Sequence, residues 1–209
     1  LETLLTAEGT YPLTIERYNS VGPSVGRELT RKAFVAIAIV VVAIILFVAF
    51  AFRKVSKPVS SWKYGLVAIL ALVHDVIIPI GVFSVLGHAG VVHIDILFIM
   101  ALLAILGYSV NDTIVVLDRV RENLRAQESR RNKESFKDLV GMSLQQTFAR
   151  SINTSLTTLF VLCSLYFLGG SAVHSFTLTL IVGVIAGTYS SIFLAAPLLV
   201  VFAGRRHVS

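Results

Sequence analysis

The sequence predicts an all-α polytopic membrane protein with five transmembrane helices. Composition is the first reason. Of 209 residues, 56% are hydrophobic and 14% are charged, against about 25% charged in an ordinary soluble domain, and the mean hydropathy is +0.83. The second reason is run length. Several apolar stretches approach or exceed the roughly 20 residues that cross a bilayer as a helix. The third is charge placement. Lysine and arginine cluster in alternate links between those stretches, as orientation signals do. The net charge of +6 therefore reads as topology, and no nucleic-acid partner is expected.

Residues 1–32 are mixed and polar, and they read as an extracytoplasmic remnant and link. Thr10 to Ile15 reads as a short strand, and Val21 to Gly26 as a turn or extended connection. Ala33 to Phe52 is the first span. It is rich in β-branched residues, but a segment of that length in lipid must satisfy its own backbone and so is helical. A basic loop with Arg53, Lys54, Lys57 and Lys63 follows around Pro58. Trp62 and Tyr64 beside it read as interface anchors.

Tyr64 to Leu86 is the second span and contains His74, Asp75 and Pro79. Gly87 to Ile94 is a short link. Asp95 to about Leu117 is the third span, with Asp112 in its latter third. Asp118 to Leu139 is rich in both charges and suits a solvated or interfacial helix. Ser143 to Leu168 carries the fourth span, ended by Gly169-Gly170. Phe176 to about Phe202 is the fifth, in which Pro197 predicts a kink or a stop. The transmembrane domain is thus residues 33–202, with a connecting segment at about 118–142 and a tail at 203–209.

The 53–63 and 118–139 segments and the tail are basic, whereas the 87–94 and 169–174 links have neither Lys nor Arg. Five crossings put these two groups on opposite sides. The basic segments and the C-terminus are then expected in the cytoplasm, and residues 1–32 outside. An odd span count with an outside start points to a further span upstream.

Asp112 is the leading functional candidate. A carboxylate at the bilayer centre costs roughly 2.5–3.5 kcal/mol on insertion scales. The bland alternative is a structural ion pair or a carboxylate near the headgroups. Arg150 lies near the start of the next, antiparallel span and can approach Asp112 in depth. It can also simply reach the headgroups. Arg150, Thr154, Thr157 and Thr158 recur at helical spacing, and Ser151, Asn153 and Ser155 widen that polar sector. Asn111 neighbours Asp112 on a different side of its helix. Asp75 can join a relay or cap a helix broken at Pro79, with His74 as an ordinary core residue. Gly183 and Gly187, four apart, would let another helix approach closely. His88, His93 and Asp95 have no metal-site spacing, and no nucleotide motif or nucleophile–base set occurs. Neither a cofactor nor an enzymatic activity is expected. Cys163 reads as an inert apolar thiol.

Gly107 to Asn123 reads GYSVNDTIVVLDRVREN. It resembles the fourth transmembrane segment of the SecF family of bacterial protein-export membrane proteins, GYSVNDTIVVFDRIREN, with Leu117 and Val120 as mild departures. Arg150 to Thr158, RSINTSLTT, resembles the start of that family's fifth segment. His74-Asp75 resembles the HD pair of its third, and Val21 to Gly26 the link into its second. The resemblance implies helices two to six of a six-helix half of the resistance–nodulation–division transporter class. The first helix and most of an extracytoplasmic domain look missing, and residues 1–20 match least clearly.

It further implies an accessory subunit of the bacterial inner membrane, working with SecD beside the SecY channel. Such subunits use the proton-motive force to assist late translocation and release of precursor proteins. Asp112 then corresponds to the proton-pathway carboxylate and Arg150 to its basic partner. Asp75 looks structural or accessory, with Asn111, Asn153, Thr154 and Thr157 as accessory polar neighbours. Two other readings compete: a proton-coupled small-molecule exporter, and a scaffold in which Asp112 and Arg150 only secure packing. A transporter responds to a proton gradient, and a scaffold does not.

Overall fold

The computed structural model describes residues 23–51, 59–90, 92, 95–128 and 134–204. The strand expected at Thr10–Ile15, the 53–57 part of the basic loop, His93 and the end of the tail lie outside them. All the regular structure described is helical: α1 (Pro23–Ala51), α2 (Ser61–His88), α3 (Ile96–Glu128), α4 (Phe136–Leu168), a 3₁₀ turn (Ser171–Val173), α5 (His174–Ser190), a π turn (Ser191–Ala195) and α6 (Ala196–Ala203). Five helical stretches are long and apolar enough to cross a membrane, the last running from Ser171 to Ala203 through the π turn. The chain is a multi-pass membrane protein, as composition predicts.

The chain divides into two units, residues 1–35 and 36–209. In the first, the described part is the opening of α1. Pro23 to Gly26, expected as a turn, are helical there. Proline suits a first helical position, because its ring presets φ and its missing N–H would have had no partner. One turn further on, exposed Glu28 and Lys32 pair at 2.8 Å.

The second unit holds the remaining helices. Capping marks their ends. The Phe98 amide donates to Asp95 Oδ1 at 2.9 Å, so Asp95 is a cap for α3 rather than part of any ligand set. Ser135 accepts from the Asp138 amide at 3.2 Å and donates to its carboxylate at 2.6 Å, starting α4. Gly169 ends α4, its amide bonded to the Leu165 carbonyl at 2.9 Å. A side chain at Gly169 would collide with that same carbonyl.

α3 and α4 each have 33 residues, about 50 Å at 1.5 Å per residue. That exceeds the roughly 30 Å hydrocarbon thickness. The expected charged segment is therefore largely the continuation of α3 to Glu128 and the opening turn of α4. The two helices are tied there by Asn123 to Ser143 at 2.8 Å and by Arg119 and Asn123 to Gln146 at 2.6 and 2.9 Å. Two further bonds bring the other ends to the same side. Lys63 Nζ donates to the Phe202 carbonyl at 2.6 Å, and Arg121 to the Ala51 carbonyl at 2.8 Å. Each cation meets the last turn of a helix, where orphan carbonyls and the helix dipole favour positive charge.

Tyr64 corrects the sequence reading. It is fully buried among Val59, Val67, Val120 and Leu199 rather than placed at the interface. Trp62 is 64% exposed and stays available as an anchor. The position of Tyr64 in α2 turns it toward α6, and packing overrides the aromatic-belt tendency.

Pro197 neither stops nor sharply ends the last span. A proline ring clashes with the carbonyl four residues back, here Phe193, which lies inside the π turn. The wider turn accommodates the ring and lets the helix continue to Ala203.

Two apolar clusters are stacked along the bundle. One contains Phe83, Phe98, Leu102 and Ile105, with Leu178 and Leu180 against it. The other gathers Tyr64, Val67, Ala71, Val116, Leu117, Val120, Leu139, Ala195 and Leu199. Between them in α2, α3 and the last span lie Asp75, Asp112, Ser190 and Ser191. α3 and α5 pack most extensively, with Gly183 set against Ile105 and Gly187 against Ser109. Lipid supplies no hydrophobic drive for helix association, and small residues help by letting backbones approach and pack closely.

Candidate functional site

The polar layer between the clusters is built from hydroxyls around two carboxylates. Asp112 is buried at 8% exposure. Ser151 of α4 donates to its Oδ1 at 2.8 Å, and Ser191, the first residue of the π turn, donates to its Oδ2. Asp75 of α2 is fully buried. Ser190 donates to its Oδ2 at 2.7 Å, and Ser109 of α3 donates to the same oxygen. His74 Nδ1 lies 2.9 Å from Asp75 Oδ1. Adjacent serines at the end of α5 thus serve two different carboxylates.

The helix order explains this convergence. In a regular helix, consecutive side chains point about 100° apart. Ser190 closes α5 toward α2, and Ser191 opens the widened turn toward α3. The π turn provoked by Pro197 is therefore also the element that carries one donor of Asp112. Such turns occur frequently at functional sites.

A second string of hydroxyls borders the layer. Tyr108 donates to Ser155 at 3.2 Å, and Thr188 to Ser155 at 2.5 Å. Ser191 also contacts the Thr188 carbonyl at 3.1 Å. Thr113, next to Asp112, is different. Its hydroxyl is buried with no hydrogen-bond partner among the described residues. The other buried threonines, Thr147, Thr177 and Thr179, each donate to the carbonyl four residues back, at 3.0, 2.8 and 2.6 Å.

The residues singled out in the sequence separate into two groups. Asp112 and Asp75 are in the layer. Arg150 is not. It is exposed, one residue before Ser151, and makes no ion pair with Asp112 in the arrangement described. Asn111, Asn153, Thr154 and Thr157 are exposed too. Thr157 donates to its own helix, to the Asn153 and Thr154 carbonyls at 3.0 and 2.9 Å. Its hydroxyl is thereby satisfied without any cavity. His74 and Asp75, although on different helix faces, are in direct contact. His74 is partly exposed, and its ring stacks on Tyr189 at 6.2 Å.

Ser190, Ser191 and Thr188 carry no mark in the sequence reading. Two consecutive serines six residues before a proline in an apolar span were the available signal.

Chemically, the layer has two buried acids, hydroxyls on three other elements and one imidazole. A charged carboxylate accepts from hydroxyls. A neutral one has a proton of its own to donate and still accepts elsewhere, so the hydroxyl that receives this proton has to turn. Protonation at Asp112 would therefore alter the bond to α4 or the bond to the last span.

The chain and its fold match known proteins. The family model for the SecD/SecF protein export membrane protein, C-terminal region, matches residues 2–205. That match takes in the N-terminal stretch, which the motifs left least clear. The protein translocase subunit SecF of Thermobaculum terrenum is 51% identical over 183 residues, 88% of this chain and 56% of that protein. The subunit SecDF of Thermus thermophilus is 42% identical over 206 residues, 99% of this chain and 26% of that one. The crystal structure of SecDF in its super-membrane-facing form superposes with a TM-score of 0.73 at 40% identity, covering 90% of this chain and 23% of that one. The chain spans little more than half the length of the SecF subunit it matches. The motif resemblance around Asp112 thus extends over almost every residue, and the chain belongs to the SecD/SecF family of protein-export membrane proteins.

Proposed function

We propose that the chain forms the membrane part of a SecF-type accessory subunit that uses the proton-motive force to assist late translocation and release of exported proteins. The observation that carries this reading is Asp112, a buried acid whose two oxygens are held by hydroxyls from separate helices. With no cation bonded to it among the described residues, its proton can come and go without first breaking an ion pair. Uptake turns Ser151 or Ser191 from donor to acceptor and replaces charge-assisted bonds with weaker neutral ones, which loosens the hold of α4 and the last span on α3. Release restores both bonds. Each unit charge moved through 100 mV supplies about 2.3 kcal/mol, enough to bias two packings of similar energy.

Arg150 has its role at the membrane-facing side. With Asn153, Thr154 and Thr157 it presents an exposed polar stripe on α4. Polar side chains facing lipid are disfavoured, so a partner membrane subunit covers the stripe, a SecD-like half joined to this one. The fused SecDF relatives support that pairing. In another conformation of the pair, Arg150 reaches Asp112 and favours its charged form. The SecY channel is the neighbouring complex, and precursor proteins are the cargo. The side bearing Lys63, the end of α3 and the C-terminus of α6 faces the cytoplasm, by its basic content. Residues 1–32 then lie outside.

The test uses the complete subunit with its partner in vesicles carrying a proton gradient. Asp112→Asn keeps shape and abolishes titration. Gradient-driven precursor release is expected to fall to its level without a gradient, with the complex still assembled. Unchanged release would overturn the proposal.

A further inference from the structure

The structure assigns Asp75 a task in this machinery: we infer that it is a positioning residue for Asp112, acting through the adjacent serines at the end of α5. The inference rests on the proton-carrying reading of Asp112 and deepens it.

Three observations lead there. Asp75 is fully buried, yet among the described residues none of its bonds is to a lysine or arginine. A buried carboxylate needs donors or it is costly, and Asp75 finds its hydroxyl donors on two other elements. Ser109 belongs to α3, one turn before Asp112. Ser190 belongs to α5, immediately before Ser191. Asp75 therefore clamps together the two elements that carry Asp112, one turn beyond Ser109, and Ser191, next to Ser190, and these two bond to each other.

Second, the clamp lies where the helix geometry is widest. The π turn begins at Ser191, directly after Ser190, and such turns occur frequently at functional sites. The Ser190–Asp75 bond fixes the last α-helical residue, and so fixes where the first residue of the turn points. Third, Gly187 lets α5 come close to α3 at Ser109. A Cβ there would lie 3.3 Å from Ser109 Cβ. The bond from Ser109 to Asp75 is made at that close approach.

Without the clamp, Ser191 loses its register and Asp112 loses one of its two donors. Asp75 itself need not exchange a proton with the pathway. Its effect on Asp112 passes entirely through Ser191, which distinguishes it from a general packing residue.

The experiment is a double-mutant cycle on gradient-driven precursor release by the complete complex, with Ser191→Ala combined with Asp75→Asn and separately with Ser190→Ala. Ser190→Ala keeps the test decisive if Asp75→Asn fails to assemble. Each single variant is expected to reduce release on the order of tenfold, the scale of one hydrogen bond to a charged group. The doubles should be no worse than Ser191→Ala alone. A second readout is the carboxyl stretching band of protonated Asp112 in infrared difference spectra, identified by its loss in Asp112→Asn. Asp75→Asn and Ser190→Ala should shift that band as Ser191→Ala does. Additive losses, with the band unmoved by the Asp75 and Ser190 variants, would overturn the positioning role and leave the Asp112 reading standing. Absence of any Asp112-dependent band in the working complex would bring down both.

Discussion

Ser151 and Ser191 each have one hydroxyl proton to give, and both give it to Asp112. Removing one donor from a buried charged acceptor costs about 1.5–3 kcal/mol. Ser151→Ala is therefore expected to lower the stability of the detergent-solubilised complex by about that amount while Asp112 is charged. In the Asp112→Asn background the loss should be clearly smaller, as thermal unfolding of the two pairs would reveal. Thr113 gives the opposite expectation. A buried hydroxyl without a partner is a penalty, so Thr113→Val should leave stability unchanged or raise it by up to about 1 kcal/mol. A loss above that in the same unfolding measurement would mean that the hydroxyl has work elsewhere in the cycle. The acids were legible in the sequence because a carboxyl group in an apolar run is expensive and stands out. Ser151 stood in the polar sector beside Arg150, but Ser190 and Ser191 were not legible, because a hydroxyl in a membrane helix can bond its own backbone carbonyl and passes unnoticed. Ser164, which donates to the Phe160 carbonyl at 2.8 Å, reads the same in sequence as Ser191 does.

At the scale of helices, the last span sets the geometry. Its two small residues were legible from their spacing, but their neighbours were not. An added methyl at Gly183 would fall within the Ile105 side chain, which is buried and β-branched and so has little freedom to yield. Gly183→Ala should destabilise the bundle by about 1–3 kcal/mol. Pairing it with Ile105→Ala should recover part of that loss, whereas a purely additive pair in unfolding measurements would contradict the packing described. Pro197 predicted a kink without its form. The wide turn that absorbs it depends on what Ser190, Ser191 and Ala195 meet across the bundle, and that information lies in other helices. The same limit explains Tyr64. An aromatic residue beside a basic loop has the composition of an anchor, and only the opposing α6 reveals its burial.

For the whole molecule, the spans and their alternation were legible because lipid admits so few solutions: a long apolar run must be a helix. Bonds from Lys63 to the end of α6 and from Arg121 to the end of α1 draw together helix ends that flank the basic regions. Single cysteines at Arg125 and Gly170, introduced after Cys163 is replaced, should label from opposite faces of the membrane, with the first accessible from the cytoplasm. Labelling of both from one face would contradict the five-span order. What the whole molecule adds is the side on which the Arg150 stripe lies: it is exposed on α4, and the proposed second membrane subunit would cover it. The most direct test of the account follows the protonation of Asp112 itself, by time-resolved infrared spectroscopy of the complete complex under a proton gradient while it releases precursor. The account predicts that the Asp112 carboxyl band appears and disappears once in each working cycle; a band that stays fixed while release proceeds would contradict it.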